Sequence, residues 1–337
     1  MNIIYTMLLE PACRTAPWGG TRLRDEFGIE NKNLIKNDIS DDELIELDLS
    51  EADSSEIAEA WVLSCHPDGK SRVKNGEFKG KTLDEVLLEN PRWMGRRAAK
   101  FNRFPVMVKL IDCKGGTSVH VHPDDEYAAD TPDGQGKHDM WYIIDAEPDS
   151  EIIYGFTAEL TQEEFRLRLE QSTLYEVLSS VKVKAGDVFN LEPGTVHAIG
   201  EGILLCEVQQ SANTVYRVDD YGRERELNIP EALDVAITLP PTIPPGSTAA
   251  PEVLQSGTIT PIGQCETFSA SHMAVNGRAH IVVGQESFVS AVVVDGAGKV
   301  FSDREAFDVK KGGSLFFPSG IGRVTFSGKM DVIITTV

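Results

Sequence analysis

Runs of apolar residues broken by short turn signals dominate this chain after residue 100. Phe104 to Cys113 is a dense apolar run carrying one lysine, Lys109, and predicts a buried strand. Trp141 to Asp145 and Ile152 to Phe156 predict two more strands, joined across a Glu-Pro-Asp turn. Val181 to Phe189 and Gly202 to Gln210 return to strand. So do Ala279 to Val283, Ser287 to Val294, Ser314 to Phe317 and Asp331 to Thr336. Helical spacing is confined to a few places. Leu83, Val86, Leu87 and Trp93 recur at helical intervals within Lys81 to Lys100, interrupted at Pro91. Thr161-Gln-Glu-Glu164 is a capping-box pattern and opens a short helix ending about Glu170. Nearer the start, a Pro17-Trp-Gly-Gly20 turn precedes an acidic stretch, Asn37 to Glu56, read as a solvated helical or loop face.

The class is therefore mainly β, with a few short helices. Leu239 to Pro251 is rich in proline and small residues and is the best boundary in the chain. It separates residues 1–238, which carry the helical insertions, from a strand-rich 253–337, with 239–252 as linker. Val183-Lys-Ala-Gly-Asp-Val-Phe-Asn-Leu-Glu-Pro-Gly194 is echoed by Val309-Lys-Lys-Gly-Gly-Ser-Leu-Phe-Phe-Pro-Ser-Gly320. Two related β-sandwiches are the natural reading of that partial repeat.

The first copy alone is followed by a histidine, in Pro193-Gly-Thr-Val-His197. Upstream, Gly115-Gly-Thr-Ser-Val-His-Val-His-Pro123 places His120 and His122 two apart. Side chains alternate along a strand, so these imidazoles share one face while Val119 and Val121 take the other. Three imidazoles from neighbouring strands, with a position left open, are how a catalytic metal site is built. His66, His138, His272 and His280 are read as ordinary residues, with pocket lining the alternative for His66.

Composition narrows the partners. Among 337 residues, 32 Lys plus Arg stand against 53 Asp plus Glu, a formal charge of -21. That balance argues against sequence-independent binding to nucleic acid or to anionic membrane. An anionic substrate would also be repelled unless its site gathers local Lys and Arg. Five scattered cysteines without Cys-x-x-Cys spacing fit a reduced, cytoplasmic protein. No stretch approaches the roughly 20 apolar residues of a membrane span, and no targeting segment is expected.

Several blocks together carry a resemblance. Phe104-Pro-Val-Met-Val-Lys-Leu-Ile-Asp112, Ser118-Val-His-Val-His-Pro-Asp-Asp-Glu-Tyr-Ala128, Gly136-Lys-His-Asp-Met-Trp-Tyr142, Gly194-Thr-Val-His-Ala198 and Glu207-Val-Gln-Gln through Tyr216-Arg217 to Arg223 resemble the type I mannose-6-phosphate isomerases in their short bacterial form. Weaker matches reach upstream to Pro17-Trp-Gly-Gly20 and to Glu59-Ala-Trp through Ser64-Cys-His66. The resemblance implies cupin-like jelly-roll sandwiches, the second lacking metal ligands. It also implies interconversion of mannose 6-phosphate and fructose 6-phosphate through an enediol.

By the same resemblance one divalent ion, zinc in the family, is held at the positions of His120, His122, Asp139 and His197. His120 and Asp139 depart from the family's Gln and Glu. An imidazole-rich set also suits iron, manganese or nickel, and Glu126 is an alternative carboxylate. Lys109, Ser118 and Arg223 match the phosphate-binding positions. Lys109 would be costly in an apolar strand without a partner, which a phosphate would supply, or else an internal carboxylate such as Asp112 or Asp124. Arg217 would assist enediolate stabilisation, with Lys137 and Glu207 the candidates to carry the proton. A cupin metalloenzyme acting on another sugar or in oxygen chemistry is a rival reading. So is a non-catalytic sugar-phosphate-binding protein. The basic cluster of Lys109, Arg217 and Arg223 disfavours a neutral substrate.

Overall fold

The computed structural model describes residues 4–35, 56–223, 225–242, 246, 250–302 and 305–337. The acidic stretch from Asn37 up to residue 55 lies outside the described residues, as do parts of the Pro-rich segment. Contacts along the chain group it into two units, Met1–Asp112 with Ser247–Val337, and Cys113–Gly246. Among the described residues no helix is long and apolar enough to cross a membrane.

The unit Cys113–Gly246 is built on strands the apolar pattern foresees. Leu178–Lys182, Glu151–Phe156, His197–Ile199, Val119–Val121 and Tyr216–Asp219 lie side by side, in that order, as an antiparallel sheet. Val188–Leu191, Asp139–Ala146 and Ile203–Gln210 lie side by side in a second sheet. One face of the first sheet is apolar. Val119, Val121, Phe156, Ala198, Tyr216 and Val218 pack there with Phe165 of the helix Gln162–Glu170 and with Ala232 and Leu233 of the helix Ile229–Val235. The capping box forms as expected: Glu164 N donates to Thr161 Oγ1 at 3.1 Å and Thr161 N to Glu164 Oε2 at 2.8 Å. Burying a side chain such as Phe165 stabilises by roughly 1.5–3 kcal/mol, so these helices hold the sheet flat-on and leave its other face for chemistry.

Val181 to Phe189 is not one strand. It divides into Leu178–Lys182 and Val188–Leu191, separated by a turn. Lys184 N donates to Asp187 Oδ2 at 2.9 Å, Asp187 N donates to Lys184 O at 3.1 Å, and Gly186 takes a φ of 88°. The left-handed glycine and the Asp side chain override the β preference of the flanking valines. The proposed repeat shares this geometry: Gly312 has a φ of 87° and the four-residue strand Ser314–Phe317 follows it. Gly194 and Gly320, at 88° and 84°, then turn both chains in the same sense.

Among the described residues of the other unit, nine strands form one sheet, with Ser269–Val283, Gly322–Thr336 and Val289–Ser302 paired at its centre. These strands run well past the apolar cores that announce them. Asn276, Gly277 and Arg278 are exposed yet stay in register with Lys329, Gly328 and Ser327, because ladder hydrogen bonds need backbone and not apolar side chains. Met7–Glu10 pairs with Ser314–Phe317, so the first described strand shares a sheet with the last ones. The helical stretch of Lys81 to Lys100 breaks where Pro91 demands. Leu83–Glu89 is α-helix, and Pro91–Met94 and Arg97–Lys100 are short 3-10 turns.

Candidate metal centre and active site

The polar face of the first sheet carries a row of side chains across neighbouring strands. His197 is the register partner of His120, and His120 is the register partner of Arg217. Directly opposed residues of an antiparallel pair project to the same face. His122, two residues beyond His120, joins them. Ring centroids lie 5.0 Å apart for His120 and His122, 4.4 Å for His120 and His197, and 4.9 Å for His122 and His197. Each ring offers a ligand atom, and the three lie within 4.8 Å of one another. The Pro193-Gly194 turn brings His197 to this place. Gly194 N donates to His122 O at 2.8 Å, and a side chain on Gly194 would meet Ile237 at 2.7 Å.

One hydrogen bond fixes each imidazole. Nδ1 of His120, His122 and His197 lies 2.7 Å from the carbonyl oxygens of Ser118, Thr214 and Thr195 respectively. A carbonyl only accepts, so every Nδ1 carries the proton and every Nε2 presents its lone pair inward. Nε2 of His197 is buried and has no hydrogen-bond partner. A buried acceptor of this kind is costly without a cation or donor against it, and with the ligand atoms of His120 and His122 within 4.8 Å the set suits a divalent ion. The residues therefore fit a metal.

Burial comes first among the causes that keep these rings neutral. It drives His120 and His122 well below the usual imidazole value, with Lys137 adding positive charge beside both and Arg217 beside His120. His197 is pushed down to about 4. Neutral imidazole is the form that ligates. The sign of the linkage follows. Their folded values lie below the unfolded 6.5, so stability present above 6.5 is lost as pH falls from there toward 4. Metal-depleted protein is expected to lose melting temperature steeply across that window, at up to about 1.4 kcal/mol per pH unit for each ring. Thermal melts over that range check it, and a flat profile would contradict the buried, neutral assignment.

The second sheet supplies the acids. Asp139 is wholly buried, its Oδ2 3.4 Å from His122 Nε2 and 4.0 Å from His197 Nε2. Glu126 is exposed on the short helix Asp125–Ala128, so among the described residues the carboxylate beside the imidazoles is Asp139. The buried Lys137 ammonium bonds Asp139 Oδ2 and lies 3.1 Å from His122 Nε2 and 3.8 Å from Glu207 Oε1. Trp141 Nε1 donates to Glu207 Oε1 at 2.7 Å. Asp139 and Trp141 share a face of one strand, and Gln209 and Glu207 oppose them on the next. Arg217, Lys137 and Glu207 thus belong to the same unit as the three histidines. Trp141, which steadies Glu207 and stacks edge-on to His197 with centroids 5.4 Å apart, is a site residue that motif reading passes over.

Of the candidate phosphate residues, Ser118 is buried, one residue before the strand of His120, and Arg223 lies in the same unit, its Nη1 2.9 Å from Gly116 O. Lys109 belongs to the other unit and has a protein partner. Its Nζ lies 3.3 Å from Glu59 Oε2 and 4.7 Å from the centre of the Trp61 ring. Burial alone would raise the Glu59 carboxyl, but Lys109, Arg14 and the Trp61 hydrogen bond outweigh it and hold it at about 2. Asp112 is engaged instead by Arg22, whose N and Nε lie at 2.8 and 2.7 Å. The need for a phosphate to neutralise Lys109 is thereby met within the protein, and its place among the phosphate residues rests on motif position. His66 is buried against the edge of Trp61, His138 is partly exposed, His272 pairs with Asp331 at 2.7 Å, and His280 is exposed.

Comparison with known proteins agrees over nearly the whole chain. Residues 7–166 match the family model for the catalytic domain of type I phosphomannose isomerase, and residues 258–337 match that for the mannose-6-phosphate isomerase cupin domain. The chain is 34% identical to a probable mannose-6-phosphate isomerase, GmuF, of Bacillus subtilis, covering 98% of this chain and 99% of that one. It is also 34% identical to the mannose-6-phosphate isomerase ManA of the same organism, covering 98% of each. The crystal structure of a Bacillus subtilis mannose 6-phosphate isomerase superposes with a TM-score of 0.84 at 33% identity, over 98% of this chain and 99% of that one.

Proposed function

The chain belongs to the type I phosphomannose isomerases, and on that premise we propose that it interconverts mannose 6-phosphate and fructose 6-phosphate at the three-imidazole site. The observation that carries this reading is the row His197, His120 and Arg217, with His122 alongside and each histidine Nε2 turned inward by a carbonyl on its Nδ1. His120, His122, His197 and Asp139 would hold one divalent ion, zinc as in the family. When bound, such an ion stabilises negative charge developing on O1 and O2 of the open-chain sugar.

The protein's own groups do the rest. A proton leaves C2 of the aldose to a base, O1 gains charge, and the proton of O2 passes to O1. Return of a proton at C1 then gives the ketose with its carbonyl at C2. Lys137 Nζ, buried between Asp139 and Glu207, is our choice for the group that moves the carbon-bound proton, accepting it as the neutral amine once its ammonium has passed a proton to the Glu207 carboxylate. Glu207 stands behind it, held by Trp141. Arg217 lies beside the imidazole row and offsets enediolate charge. Ser118 and Arg223 hold the remote phosphate so that its binding energy orients C1 and C2. In this reading residues 1–238 carry the chemistry and 253–337 carry none of the proposed ligands. We place the reaction in the cytoplasm on the pattern of the cysteines.

A coupled assay of fructose 6-phosphate formation from mannose 6-phosphate tests the proposal. Turnover is expected, lost on chelation and restored by zinc. Zinc-loaded protein inert toward mannose 6-phosphate would overturn it.

A further inference from the structure

Asp220-Tyr221-Gly222-Arg223 forms a tight turn closed by Arg223 N donating to Asp220 O at 3.1 Å. Its two central residues have φ of 53° and 76°. Positive φ at both is the signature of a type I′ turn, which ordinarily takes Asn or Gly first. A tyrosine there stores strain, and strain of this kind persists where surrounding contacts over-determine it. The contacts are present. The Tyr221 ring lies 5.2 Å from the Arg223 guanidinium and 6.2 Å from the Tyr175 ring, and the Tyr175 hydroxyl donates to Asp219.

Asp220 is 3% exposed, and two arginines meet on it. Arg225 Nε donates to Oδ2 at 2.7 Å and its Nη2 to Oδ1, a two-pronged grip. Arg223 Nε donates to Oδ1 at 3.1 Å, and its Nη2 lies 3.0 Å from the same oxygen without making a hydrogen bond. Burial would raise the Asp220 carboxyl, but Arg225, Arg223 and the more distant Arg217 outweigh it and hold it below the usual range. With Asp219 counted beside Asp220, two carboxylates stand against three guanidiniums, which still leaves positive charge in excess, in a chain of net charge -21. Such an excess is what an anionic substrate needs on approach to an acidic protein.

We propose that Asp220 is the positioning residue of the substrate-phosphate clamp and that Arg225 is its second arm beside Arg223. The proposal rests on the isomerase reading for the identity of the anion. A buried carboxylate that takes one N–H edge of each guanidinium fixes both planes before the phosphoryl group arrives. Their remaining N–H groups then bind without the side-chain ordering that free arginines would require. Tyr221 covers Arg223 and holds it against that carboxylate.

Steady-state kinetics and thermal unfolding of the metal-loaded protein, with inorganic phosphate as probe, test it. Asp220→Asn is expected to raise KM for the sugar phosphate by about tenfold or more while kcat stays within about threefold. Arg225→Met is expected to raise KM likewise and to abolish the upward shift in melting temperature that inorganic phosphate gives the unaltered protein. Tyr221→Gly relieves the left-handed strain, so it is expected to keep or raise the melting temperature while weakening phosphate binding. A scaffolding role would not produce that divergence. Arg225→Met with unchanged KM and an unchanged phosphate shift would overturn the proposal, whatever its melting temperature. Phosphate protection that depends on Arg225 in a protein inert toward mannose 6-phosphate would sink the isomerase reading and leave the clamp standing.

Discussion

His197→Ala is expected to strip the bound metal and abolish turnover together. His197 Nε2 is buried with no hydrogen-bond partner, and its ring is pinned by Thr195 O at 2.7 Å. Removing it takes one of three converging nitrogens and leaves a cavity where a ring 2% exposed had been. Loss of a group that merely orients a ligand weakens metal binding by roughly 10–100-fold, and loss of the ligand itself exceeds that. Metal content by elemental analysis and kcat/KM in the coupled assay check the expectation. Stoichiometric metal with full turnover in the variant would remove His197 from the site. The fold should survive, because the sheet's other face is held by Phe165, Ala232 and Leu233 and not by the imidazole.

Lys137→Met separates a proton carrier from a ligand-holder. The methionine keeps the aliphatic stem and removes only the ammonium that bonds Asp139 and lies 3.1 Å from His122 Nε2. If Lys137 moves the carbon-bound proton, kcat falls by about 10²–10⁴ with KM little changed and metal retained. The ammonium is also a positive charge beside the imidazoles, so its loss removes repulsion toward a divalent ion and metal affinity is expected to hold or rise. Exchange of the substrate C2 proton with solvent deuterium should fall in step with kcat. A variant that keeps kcat, or one whose deficit is repaired by added metal, would shift the proton-transfer role to Glu207.

The residues that carry most of this account are legible in the chain because local rules govern them. His120 and His122 share a face by strand alternation. The Pro-Gly turn delivers His197, and the capping box closes the helix at Thr161 through a side chain three residues away. What escapes is set by distance in sequence. Glu59 and Lys109 sit fifty positions apart and meet because Trp61 and Lys109 are register partners on adjacent strands. The carboxylate nearest to Lys109 in sequence, Asp112, is taken by Arg22 from the Pro-Trp-Gly-Gly region. Gly186 interrupts a run that β propensity alone extends. Met7–Glu10 joins Ser314–Phe317 through backbone hydrogen bonds that no side-chain pattern announces. The Asp220 cluster lies within one motif block, yet only the turn geometry shows two arginines sharing a carboxylate.

Anomalous diffraction from crystals of the zinc-loaded protein, collected at the zinc edge, addresses the central claim directly. The expected map has one strong peak about 2.0–2.1 Å from Nε2 of His120, His122 and His197, with each Nδ1 still on its carbonyl. A peak elsewhere in the molecule, or coordination through Nδ1, would contradict it.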